Sequence, residues 1–168
     1  MRLRSALALL FLSALAVPAH AQDIKAVVVK HLTTSRDFTI RVAEQMPEAD
    51  YGFKLTPPQM SFGEQMVHLS EEQAGLLAPI AGAPPKPSKP ASMKKADVIA
   101  FIRKSYDASI ATVSKLTPEQ IAKTYSGGEG SMTGLESLMF LLDHCTHHRA
   151  SAEMYLRAKG ITPTNYAF

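Results

Sequence analysis

The sequence predicts an all-α protein, a four-helix bundle behind a cleaved N-terminal signal peptide, and three observations carry that expectation. Beyond residue 22 the apolar residues recur at spacings of three and four, and no stretch sustains the alternation of a half-buried strand. Cap signals and proline or glycine breaks cut this part into four long helical stretches. Ahead of them stands a short apolar run that reads as an address. The chain has 168 residues, of which 46% are hydrophobic and 20% charged, enough for one domain with a real core and too apolar for a disordered chain.

The address comes first. Arg2 and Arg4 precede the apolar run Ala6 to Val17, broken only by Ser13, and Pro18 and Ala19-His20-Ala21 follow. A run of 12 residues falls well short of the roughly 20 that span a bilayer. The small-x-small triplet predicts cleavage after Ala21, so residues 1–21 are signal peptide and 22–168 the mature domain. Cleavage removes two arginines and no acid, lowering the formal charge from +3 to +1. A near-neutral mature domain carries no electrostatic footprint for nucleic acid. The expected location is secreted or periplasmic, with no stable membrane anchor after cleavage. In an oxidising compartment a single cysteine, Cys145, can form no internal disulfide and should be buried and inert.

The first helix is predicted from Asp23, its N-cap, to Met46, where Pro47 stops it. Pro57-Pro58 keep the following segment irregular. Ser61-Phe62-Gly63-Glu64 is a capping box that opens a second helix to about Leu77. Residues 81–92 hold Pro84, Pro85, Pro87 and Pro90 and form an extended linker, long enough for a crossover. A third helix is predicted from Met93 to Lys115, and Thr117-Pro118-Glu119-Gln120 starts a short one with proline at N1. Residues 126–130 read as a loop; their glycines have the wrong spacing for a phosphate cradle. The last long helix starts at Thr133, with Glu136 completing a capping box, and stops at Gly160 with Pro163 beyond.

Five histidines remain after processing: His31, His68, His144, His147 and His148. His144 and His148 stand four residues apart, so a helix projects them about 40° from one another on one face, where two imidazoles can meet one metal ion. On the apolar stripe of Leu138, Leu141, Cys145, Ala152 and Tyr155, His148 falls inside, His144 on the border and His147 outside. Two histidines do not make a catalytic site. The third ligand is either His68, on the flank of the second helix, or His31 on the first. Two surface histidines would explain the same spacing without any metal. Glu64 is a capping residue first; one turn before His68, it is also the candidate catalytic group. Arg149 is expected to serve a carboxylate or a helix end.

The order of features Met46-Pro47-Glu48-Ala49-Asp50-Tyr51-Gly52-Phe53-Lys54-Leu55-Thr56-Pro57, then Ser61-Phe62-Gly63-Glu64-Gln65-Met66-Val67-His68, then His144-Cys145-Thr146-His147-His148-Arg149 and Tyr155-Leu156-Arg157 resembles the DinB-like (YfiT-like) four-helix bundle superfamily of metal-dependent enzymes. The resemblance covers essentially the whole mature chain. It implies an up-down-down-up bundle and a divalent ion, zinc or nickel, held by His68, His144 and His148, and so selects His68 over His31. The family motif continues His-His-Arg-Gly-Gln, whereas Ala150 and Ser151 follow Arg149 here, so substrate contacts are not carried over. The implied function is a metal-dependent hydrolase or thiol-dependent transferase acting on a small molecule; a homodimer is the assembly to look for. The alternative is a metal- or ligand-binding bundle without turnover. No G-x-S-x-G points to a serine nucleophile.

Overall fold

A computed structural model describes residues 23–82, 89–127 and 130–167. Residues 1–22, which include the segment expected to be a signal peptide, and residues 83–88 of the expected linker lie outside the described residues. Among those described, no helix is long and apolar enough to cross a membrane.

Helix α1 (Ile24–Gln45) begins where predicted, the Asp23 carboxylate accepting from the amides of Lys25 and Ala26. Its buried residues Val28, Leu32, Thr39 and Val42 keep the helical period. Extended backbone at Met46, ahead of Pro47, ends it. A 3-10 turn at Glu48–Asp50 then places Tyr51, whose hydroxyl donates to the Ala43 carbonyl at 2.7 Å and ties the connection to α1. Helix α2 (Phe62–Ala81) opens with the Ser61/Glu64 capping box and runs four residues past the expected end. Pro79 lies inside it. The proline deprives the Gly75 carbonyl of its helical partner, but both residues are exposed, so water can take that acceptor, while Ile80 remains buried. Gly82, left-handed at φ 74°, closes the helix.

Helix α3 (Lys95–Ser114) starts two residues later than expected. Lys95 donates to the carbonyls of Glu44 and Met46, capping the end of α1. The short α4 (Pro118–Ala122) has its Thr117/Gln120 capping box. The expected loop is instead an antiparallel hairpin of β1 (Thr124–Gly127) and β2 (Gly130–Thr133), with Thr124 opposite Thr133 and Tyr125 opposite Met132. Its strands are too short and too rich in serine and glycine to show alternation. Helix α5 (Gly134–Ala158) follows with its own capping box, and Gly160 takes φ 73° beyond its end.

Cross-helix contacts give the topology. Lys25 reaches Leu116 while Lys95 reaches Glu44, so α1 and α3 are antiparallel. Tyr155 bonds Met60 and His148 bonds Gln65, so α2 and α5 are antiparallel too. Gln120 lies at the Ile80 end of α2 and Met93 beside Gly63, so α2 and α3 are parallel. Gln45 holds the chain at Thr162 and Thr164, just past α5, so α1 and α5 are parallel. The four long helices therefore run up-down-down-up, with α2 and α5 adjacent. Phe38, Phe62, Met66, Leu69, Ile102, Tyr106, Leu138, Leu141, Cys145 and Tyr155 fill the centre. A hydroxyl chain crosses it, from Ser35 to Tyr106 to Thr39, and the Arg149 guanidinium donates to Ser35 at 2.7 Å.

Candidate metal centre

Antiparallel packing of α2 on α5 sets the middle of one against the middle of the other, and both carry histidines there. His68 from α2 meets His144 and His148 from α5, with one ligand nitrogen from each ring within 4.8 Å of the others. The ring centroids stand 4.4 Å (His68 and His148), 4.5 Å (His144 and His148) and 5.2 Å (His68 and His144) apart. All three are half-buried. The flank position of His68 sets its ring at the border of the core, beside the two rings from α5.

The donor set suits a borderline divalent ion. Burial, then the neighbouring imidazoles, push His148 down to about 4, and burial with His68 lowers His144, partly offset by Glu72. Both therefore stand neutral near pH 7 with lone pairs available. The His148 Nδ1 lies 2.7 Å from Oε1 of Gln65. An amide oxygen can only accept, so Nδ1 carries the proton and Nε2 is left for a metal. Gln65 and Glu72 were not read from the sequence. Gln65 stands one turn before His68 and Glu72 one turn after it on the same helix side, which was the available signal.

Glu64 lies where its capping role puts it. It accepts from the Ser61 amide at 2.6 Å, faces Lys54 at 3.6 Å and is held below the usual carboxylate range chiefly by the Ser61 bonds. It also borders a cavity of about 380 Å³ that reaches His68, together with Met60, Val67, Glu71 and Met93. His147 is exposed, its ring 5.0 Å from that of His148. His31 lies in a different hollow, between α1 and α5. Cys145 is fully buried and its thiol is pushed up to about 11, mainly by burial. Arg149, expected to serve a carboxylate or a helix end, bonds neither among the described residues: it donates to the Ser35 and Thr146 hydroxyls and lies 4.6 Å from the Phe38 ring centroid.

A four-helix bundle with three converging imidazoles between its second and last long helices defines a candidate metalloprotein class. The chain belongs to the DinB family, whose model matches residues 20–168. The fold is that of a DinB-like protein from Bacillus subtilis, with 22% identity, a TM-score of 0.71 and coverage of 83% of this chain and 96% of the other. A DinB-like protein from Bacillus cereus aligns with 17% identity, a TM-score of 0.73 and coverage of 83% and 95%. No curated protein matches the chain.

Proposed function

We propose that the chain is an exported metal-dependent enzyme that holds one divalent ion, zinc or nickel, on His68, His144 and His148. The convergence of the three imidazoles, two of them held neutral, carries this reading. Three neutral ligands leave coordination positions for water or substrate, the pattern of a catalytic rather than a closed site. When bound, the ion would supply Lewis acidity or a lowered water or thiol pKa, as hydrolysis or thiol-dependent transfer needs. The chain's own residues do the rest. Gln65 fixes the tautomer of His148, and the cavity beside His68 receives a small molecule between α2 and Lys89, Pro90, Ser92 and Met93. Glu64, on the rim of that cavity, is the candidate group for holding or moving a proton there. Hydrolysis is favoured over thiol transfer because low-molecular-weight thiols are mainly cytosolic and the leader directs the chain outward. A binding bundle without turnover keeps the same ligands; a substrate-bearing position on the ion separates the two.

The test is metal per chain in five single alanine variants purified from the exported fraction. His68→Ala, His144→Ala and His148→Ala should each lower it sharply, and His31→Ala and His147→Ala should leave it near the parent. Equal occupancy in all five would sink the metal reading. Intact mass of the same fraction should correspond to a chain starting at Gln22; retention of residues 1–21 would contradict export by cleavage.

A further inference from the structure

On the other side of α5 from His68, His144 and His148, a second cavity of about 350 Å³ opens between α1 and α5, with His31 in its wall. Arg149 stands in its wall and is only 4% exposed. No carboxylate among the described residues lies within ion-pair distance of it. Of its five N–H donors, one bonds Ser35 at 2.7 Å and one reaches Thr146 at 3.4 Å; a cation–π contact with Phe38 covers one face. Glu153, one turn on, feels the guanidinium but makes no bond to it. A buried cation is costly unless an anion or a full set of acceptors compensates it, and hydroxyls and a ring do so only in part.

The rest of the wall indicates the anion. Met139, Leu142 and Tyr166 give it an apolar side, and Thr34 adds a hydroxyl. Asp143 stands at the same wall, a negative charge that disfavours a dianion. We propose that this cavity is a binding site for a small organic monocarboxylate, its carboxylate on the Arg149 guanidinium and its apolar body against Met139, Leu142 and Tyr166. The site is independent of the metal reading, because Arg149 and the three histidines lie on different sides of α5.

The test is an amide NMR titration of the mature protein with sodium benzoate, repeated with inorganic phosphate. Benzoate should give saturable shifts at Thr34, Ser35, Thr146 and Tyr166, and phosphate should be at least tenfold weaker. His68→Ala, which removes a metal ligand, should leave the benzoate affinity unchanged, so a carboxylate captured by an ion is told apart. Arg149→Lys should weaken benzoate about tenfold, because an ammonium cannot make the bidentate contact, and Arg149→Met should abolish the shifts. Should Arg149→Met fail to fold, Thr34→Ile narrows the cavity from α1 and should remove the shifts while the helical circular dichroism stays. No saturable shift, equal response to phosphate, or benzoate binding retained in Thr34→Ile would each overturn the proposal. So would binding seen only after the chain is cut back to Tyr166, which would make the chain's own terminus the occupant.

Discussion

Gln65 is the residue on which the histidine site turns without being a ligand. Its Oε1 holds the proton of His148 on Nδ1 and leaves Nε2 for coordination. Gln65→Leu should preserve the fold and weaken metal affinity about 10- to 100-fold, the usual loss when a ligand's orienting partner goes, as read by competition with a chromogenic chelator. Cys145 should resist thiol reagents in the folded protein, since its thiol is both buried and held near 11, and rapid labelling of the native protein would contradict that placement. Gln73 is 1% exposed, and apart from a weak interaction with the Cys145 thiol its amide finds no hydrogen-bond partner among the described residues; Gln73→Met should therefore raise stability by about 1 kcal/mol in urea unfolding. At this scale the sequence was informative where spacing decides geometry. His144 and His148 could be paired from the helical period, and the half-buried state of both and the exposure of His147 follow from the same stripe. The helical period could place Gln65 one turn before His68, but not its bond to His148, and the Arg149 wall was not legible at all, because both depend on what the neighbouring helix presents.

The elements were legible wherever a local signal ends or starts them. Asp23, Ser61, Thr117 and Thr133 all cap as their sequences indicate, because side-chain acceptors for the first amides act within three residues. The hairpin escaped because four-residue strands are too short for a period, and α2 outran its expected end because tertiary burial of Ile80 outweighs one lost bond at Pro79. Between the hairpin and α5, Gly134 marks a tight approach that composition does not reveal. A Cβ there would come 2.4 Å from the Gln120 carbonyl oxygen and 2.8 Å from the Ile121 Cα, both backbone atoms of α4. Gly134→Ala should cost roughly 1–3 kcal/mol by forcing α4 off the start of α5. A shifted urea midpoint with unchanged slope would be the signature.

For the whole molecule, the lowered histidines couple acidity to folding. His148 titrates near 4 when folded and about 6.5 when unfolded, so between those values the unfolded chain binds the extra proton. The His148 contribution to the stability of the metal-free protein should be full above about 6.5, fall as pH drops through that window and be spent below about 4, where protonation of lowered carboxylates such as Glu64 takes over the loss. His148→Gln should flatten the slope in urea midpoints taken across it. The same shift moves proton competition for the ion below the ordinary imidazole range, so metal release should have its midpoint under pH 6.5. The bundle's winding has a further consequence. Because α2 and α5 meet only after α3, α4 and the hairpin have been laid down between them, Gln65 and His148 are 83 residues apart along the chain. A nascent or unfolded chain holds at most the His144 and His148 pair and has no complete chelate. Whatever ion the three rings hold can be picked up as a complete chelate only once the last helix has docked, so the metal supply wherever folding finishes selects the occupant.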